Sequence, residues 1–182
     1  LRAPAPYAAL ANGTAGHGEE IDGAHVVGGH PGATIVHAAA AAAERHGASG
    51  AELINAVVLG YDVGVRVMRA CGGVFGAKSR YHLHADFLYA LGASVAVGRI
   101  LDLDPIRHCH AMALVTFQAN GLCALFQEQR HISKSFSAGQ YACAGVSAAL
   151  MSAAGLEGCD DIIGERDGLL ELRRAIAGET VH

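Results

Sequence analysis

The segment His30-Pro31-Gly32-Ala33-Thr34 places a histidine immediately before a helix start. Proline at the first helical position already holds the helical φ and has no N–H to leave unsatisfied. The free N–H groups of the next residues point back toward His30. The positive end of a helix favours anions and disfavours an imidazolium. A neutral histidine beside an anion-binding helix end can serve as a proton-transfer group. The same layout is expected at two further loop–helix junctions, around His82 and around Lys134.

Each of the three junctions offers titratable groups. The first loop holds Glu20, Asp22, His25 and His30, the second Lys78, Arg80, His82 and His84, the third Arg130, His131 and Lys134. A lysine in the first turn of a helix stands at the wrong end of the dipole, at a cost of up to about 1 kcal/mol, unless an anion lies nearby. A solvated surface lysine fits the same spacing, and His30 taken alone also reads as a capping or satisfied core histidine. His82 and His84 would share a face on a strand but diverge in a helix, as do His108 and His110. The sequence holds no H-E-x-x-H, Cys/His quartet or carboxylate-rich calcium loop, so no metal is expected. Gly28-Gly29 and Gly72-Gly73 lack the strand–turn–helix setting of a phosphate loop, and no G-x-S-x-G elbow occurs.

The elements that must position these groups read as helices. Residues 5–16 form a short Ala-rich helix, and the polar stretch His17 to Gly29 is a loop. A helix from Pro31 to His46 is closed by Gly47, and Ser49 with Glu52 makes a capping box for the next. There Leu53, Val57, Tyr61, Val65 and Met68 recur on one face, with Asp62 and Arg66 paired on the other, and Gly72-Gly73 ends it. A second loop is expected over 76–84, a helix over about 85–101, and a helix opened by Asp104-Pro105 that fades near Gly121. Residues 126–133 are polar and irregular, and Ser133 is expected to cap a long small-residue helix ending at Gly155. Two short helical pieces are predicted near 160–164 and 168–177. No convincing strand is present.

Composition agrees. The 182 residues are 52% hydrophobic but only 5% aromatic, with 24 glycines and no Trp, so alanine and glycine carry much of the apolar content. Ala is the best helix former and small residues let helices approach closely. An all-α, closely packed single domain over 1–182 is the expectation. Net charge is −4 without a basic stripe, which argues against nucleic acid. Five cysteines without C-x-x-C read as reduced, mostly buried thiols of a cytoplasmic protein. Apolar runs are broken by Glu44-Arg45 and Arg99 too soon to span a bilayer.

Taken in order, the motifs resemble those of the MmgE/PrpD family, which includes 2-methylcitrate dehydratases, cis-aconitate decarboxylases and iminodisuccinate epimerases. Ala8 to Gly18 resembles the opening of the family's "NGTAAHALDFDDTH" segment, and His30 to Thr34 its HPG motif. Gly47 to Arg66 resembles the long helix after "EREGASG", and Tyr81-His82 falls where the family has "GFHPT". Leu91 to Pro105 is similar to "GAAAAAARLLGLDP", and Ile132 to Gly139 to "TKRLHAG" with its lysine. Each motif is weak alone, but six occur in the family's order across nearly the whole chain.

The resemblance implies the family's large helical domain and a cofactor-free lyase or isomerase. It would act on a small di- or tricarboxylate by proton abstraction next to a carboxylate, as a homodimer through that domain. It assigns catalytic roles to Glu20 or Asp22, His30, His82 and Lys134, with His25, Arg80, His84 and Ser133 expected to bind substrate. The family's "DFDDTH" reads Glu20-Ile21-Asp22-Gly23-Ala24-His25 here, its "HPT" reads His82-Leu83-His84, and its "LHAG" reads Phe136-Ser137-Ala138-Gly139. The family also carries further helices before this region and an α/β lid domain after it. The chain is therefore expected to be a fragment, a processed form, or a partner of a separate lid-bearing chain. The competing expectation is a non-catalytic helical scaffold or carboxylate-binding module derived from such an enzyme.

Overall fold

Local signals set most helix limits. Pro31 opens one helix and Gly47, in the left-handed region at φ 70°, closes it. The Ser49 side chain accepts the Glu52 N–H at 3.3 Å while the Glu52 carboxylate accepts the Ser49 N–H at 2.7 Å, the reciprocal pairing of a capping box. Asp104 accepts the Arg107 N–H at 2.9 Å and starts another helix ahead of Pro105.

The structure is a computed structural model that describes residues 2–130 and 132–171, apart from the side chains of 79–81. Its α-helices are α1 (Ala5–Gly16), α2 (Pro31–His46), α3 (Gly50–Ala70), α4 (Gly73–Tyr81), α5 (Tyr89–Ile100), α6 (Pro105–Thr116) and α7 (Ile132–Ala153). Short 3-10 turns cover Ala85–Leu88 and Cys123–Gln127. Among the described residues extended pairing is confined to an isolated bridge between Leu83 and Leu122. The fold is all-α, as expected. No helix among the described residues is long and apolar enough to cross a membrane.

Helix α5 forms the centre. Every residue from Tyr89 to Gly98 is buried, and α2, α3, α6 and α7 pack around it. Small residues permit this. A methyl group on Gly92 would collide with the Gly60 carbonyl of α3, and one on Gly139 of α7 would collide with the Leu10 carbonyl and Thr14 of α1. Close seating of α1 on α7 has a functional consequence. It brings the chain leaving α1 at His17 against the first turn of α7, where the Ser135 hydroxyl donates to the His17 carbonyl at 3.1 Å.

Several expectations are corrected. The expected second loop is mostly α4, so Arg80 lies on a helix and His82 terminates it in the left-handed conformation, φ 55°. Residues Gly73–Tyr81 hydrogen-bond as a helix, although Gly72-Gly73 reads as a helix end and the polar run over 76–84 as a loop. The helix expected over 85–101 is split at Tyr89 into a 3-10 turn and α5, and α6 ends at Thr116, short of Gly121. Ser133 does not cap α7: it lies within the helix, and the Glu128 carboxylate accepts its N–H at 3.0 Å. Residues 160–164 form a turn in which Asp161 accepts the N–H groups of Ile163 and Gly164, rather than a helix. Most of the predicted 168–177 piece lies outside the described residues. Of the cysteines only Cys71 is buried, and Cys159 is exposed.

Candidate functional site

His30 precedes α2 as expected, but the group that organises its loop is His17. That ring is 1% exposed and its Nδ1 donates to the Asp22 carboxylate at 2.7 Å. The other Asp22 oxygen lies 3.4 Å from His30 Nδ1, and the His17 and His30 rings meet with centroids 4.5 Å apart. Asp22 thus stands between two imidazoles. Sequence reasoning missed His17 because it closes α1 and looked like a loop residue. Its signal was the Asn12-Gly13-Thr14-Ala15-Gly16-His17 run that opens the family motif.

The rest of the loop is shaped by its backbone. The His25 N–H donates to the Gly29 carbonyl at 3.1 Å, and His25 Nδ1 accepts the Val27 N–H at 3.2 Å. The Tyr89 hydroxyl, at the start of α5, donates to the Gly28 carbonyl at 2.5 Å and pins the loop to the core. His25 therefore builds the turn.

The second junction supplies His84 rather than His82. His82 is exposed and lies outside the cavity described below. His84 is 3% exposed. Two backbone bonds hold it: its N–H donates to the Gly121 carbonyl at 3.1 Å, and the Cys123 N–H donates to the His82 carbonyl at 2.8 Å. The Tyr141 hydroxyl donates to the Asn120 carbonyl at 3.0 Å and meets His84 Nδ1 at 3.3 Å. Phe126 packs edge-on against the His84 ring. Burial pushes the Tyr141 phenol up to about 12, so it remains a neutral hydroxyl in this network. The Arg80 side chain lies outside the described residues.

The third junction delivers Lys134. It sits in the first turn of α7, only 9% exposed, and its ammonium donates to the Glu20 carboxylate at 2.6 Å. The anion that such a lysine calls for is thus present. Glu20 adopts φ 51°, in the left-handed region that non-glycine residues avoid, a conformation costing on the order of 1 kcal/mol. The surrounding structure holds Glu20 there, with its carboxylate turned to Lys134. Ser133, next to it, has a buried hydroxyl oxygen without a hydrogen-bond partner among the described residues.

One group from each junction, His30, His84 and Lys134, lines a single cavity of about 200 Å³, walled also by Lys78, Asp86 and Phe126; Glu20, Asp22, His25 and Ser133 are not among its lining residues. At about 30 Å³ per water molecule this is space for roughly seven waters, enough for a small acid and too little for a dinucleotide. A larger groove of about 950 Å³ runs along α1 and the end of α2, but its walls are mainly alanines with Arg2, Glu44 and Arg45, and it gathers no histidine or lysine. The Lys78 ammonium lies 4.6 Å from the Phe126 ring centroid, which keeps a second cation at the cavity. Asp86 is the wall residue that sequence reading missed, since it fell inside an expected helix. Its Oδ2 accepts the His30 N–H at 3.3 Å.

Burial and the nearby Asp22 charge raise the Tyr61 phenol, and burial with the Asp86 charge raises that of Tyr89, so both stay neutral donors beside the first loop. His17, Asp22 and His30 also offer ligand atoms within 4.8 Å of one another, a set that could hold a metal ion. Spacing along the sequence did not reveal that set, because the loop folds back to assemble it. The His17–Asp22 hydrogen bond pairs one Asp22 oxygen, while Asp22 Oδ2 and His30 Nδ1 are buried without a hydrogen-bond partner among the described residues.

No curated protein matches the chain. The MmgE/PrpD N-terminal domain model matches residues 1–174, with the all-helical fold just described. That match spans nearly all of the chain, and the chain therefore belongs to the MmgE/PrpD family through its N-terminal domain.

Proposed function

We propose that this domain binds a small di- or tricarboxylate in the His30–His84–Lys134 cavity and moves a proton on the carbon next to one carboxylate, as a lyase or isomerase. The observation that carries this reading is the buried Lys134 ammonium, directed to Glu20 on the same cavity as His30 and His84. A cation held on the wall of a cavity favours an anionic ligand there. The N–H groups at the start of α2 and Lys78 add further positive potential.

In the proposed reaction, the substrate C–H bond breaks and its electron pair moves into the adjacent carboxylate. Lys134, with Lys78 on the same wall, stabilises the charge that develops there. His30, on the cavity wall with its Nδ1 3.4 Å from the Asp22 carboxylate, is the group assigned to take and return the proton, with Glu20 acting through its ion pair to Lys134. Reprotonation on the other face gives an epimer, while loss of a β-leaving group gives an alkene. The reading includes a homodimer, supported by the apolar surface that Ile54 and Val58 expose one turn apart on α3. It also includes a cytoplasmic setting.

Incubation with citrate, 2-methylcitrate, cis-aconitate and iminodisuccinate analogues in D2O, followed by proton NMR, tests it. Deuterium should enter next to a carboxylate in at least one compound, and His30→Ala and Lys134→Ala should abolish this. Absence of both exchange and binding across the panel refutes the reading. Binding without exchange selects a second one, a carboxylate-binding module. Gly23 and Ala24 favour that alternative, standing where the family motif has an acid and a threonine, with open space around Gly23.

A further inference from the structure

Two atoms of the His17–Asp22–His30 cluster face each other without bonding. His17 Nδ1 donates to one Asp22 oxygen at 2.7 Å. The other oxygen, Oδ2, stands 3.4 Å from His30 Nδ1, and both atoms are buried without a hydrogen-bond partner among the described residues. Buried polar atoms are ordinarily paired, and a carboxylate oxygen left without a donor is costly. The separation is informative. Two ligands at about 2.0–2.2 Å from a tetrahedral ion lie roughly 3.3–3.6 Å from each other. At 3.4 Å no water molecule passes between the two atoms, yet that is the span across one zinc ion. One atom from each of the three residues lies within 4.8 Å of the others, so modest side-chain rotation closes the set. The backbones of both histidines are already held: the Ser135 hydroxyl donates to the His17 carbonyl, and the His30 N–H donates to Asp86.

We infer that His17, Asp22 and His30 form a binding site for a divalent cation of the zinc class, with a fourth position open to water. Two imidazoles and a carboxylate are a donor set of open zinc sites, whereas magnesium and calcium take oxygen ligands. His17 is buried, while the Asp22 and His30 side chains are partly exposed, so the ion enters and keeps its open position on their side. Its charge also compensates the Asp22 carboxylate. The ion uses the lone pair of His30 Nδ1 and leaves the ring proton on Nε2. The ring then has no lone pair to take a proton from a substrate, so zinc and proton transfer exclude each other. This consequence rests on the role given to His30 above, while the site itself does not.

Calorimetric titration of the chelator-treated protein with zinc, without substrate, tests the site. One equivalent should bind, and the ring 15N signals of His17 and His30 should shift together as it does. Losing even an outer partner of a metal ligand costs about 10- to 100-fold in affinity, so Asp22→Asn and His30→Gln should each weaken binding by roughly a hundredfold or more. Asp22→Asn keeps an acceptor for His17; if circular dichroism shows it unfolded, His30→Gln and the wild-type ring signals decide. His46→Gln, at the exposed end of α2, should bind zinc as the wild type does. Cobalt in place of zinc should give the strong visible absorption of a four-coordinate site, and a near-ultraviolet thiolate band would assign the ion to a cysteine and overturn the site. Absence of zinc binding, or binding that the folded variants retain in full, also overturns it. Saturating zinc should stop deuterium exchange on the substrate, and exchange that continues at saturation overturns the exclusion. Zinc bound at His17 and His30 in a protein that exchanges no compound supports the site and overturns the proton-transfer reading instead.

Discussion

Replacing Lys134 by methionine removes the ammonium while keeping most of the side-chain volume, so it separates charge from packing. The Glu20 carboxylate, 39% exposed in its side chain, then turns to water. The buried lysine no longer bears its desolvation cost. The two effects oppose each other, and stability should change by no more than about 1 kcal/mol. Ligand binding should respond far more strongly. A charge-assisted hydrogen bond to a substrate carboxylate contributes about 1.5–3 kcal/mol, so dicarboxylate affinity should fall roughly 10- to 150-fold. Glu20→Gln provides the opposite sign. It removes the anion that neutralises Lys134 at 2.6 Å, and a ligand carboxylate then meets an uncompensated cation. Affinity should rise a few-fold while proton exchange falls. Isothermal titration of both variants with the same dicarboxylate reads the affinities, thermal melts read the stability, and deuterium incorporation followed by proton NMR reads the exchange. Unchanged affinity in Lys134→Met, or a loss in Glu20→Gln as large as that in Lys134→Met, would refute the reasoning.

Further outcomes are expected elsewhere in the fold. His17→Leu leaves one Asp22 oxygen without its donor and should destabilise by about 1–3 kcal/mol, seen as a melting temperature lower by roughly 3–10 °C. Gly139→Ala forces a methyl into the α1 backbone and should cost about 1–3 kcal/mol in chemical denaturation, whereas Gly23→Ala, with open space around it, should be near neutral. Because the fold raises Tyr141 to about 12 from an ordinary 10.0, its contribution is complete below pH 10 and is lost as pH climbs through 12. Stability measured by denaturant across that window should fall on the order of 2–3 kcal/mol, and Tyr141→Phe should flatten this part of the curve.

What could be read from sequence divides along physical lines. The capping box at Ser49, the Asp104 cap, and Pro31 with Gly47 specify helix ends through contacts within a few residues, so they were legible. His30 and Lys134 were legible for the same reason: a histidine before a proline and a cation in a first turn are local anomalies. His17 and Asp86 were not, because their meaning comes from partners distant in sequence. Asp86 serves the backbone of His30, 56 residues away. His84 displaced His82 because α4 extends through the expected loop and carries His82 out to its exposed end, while the Leu83–Leu122 bridge turns the next histidine inward. Gly72-Gly73 and the polar run over 76–84 suggested a helix end followed by a loop, but α4 packs against α3 and the Ala85–Leu88 turn and is helical to Tyr81.

The central claim is that His30, His84 and Lys134 wall one carboxylate-binding cavity. Its most direct measurement is an NMR titration of protein labelled with 15N in the histidine rings and lysine side chains, using L-malate. Ring signals of His30 and His84 and the Lys134 ammonium should shift together along one saturating curve, with exposed His82 unmoved and all shifts lost in Lys134→Met. Independent curves for the three residues, or saturation that leaves Lys134 unchanged, would contradict the account.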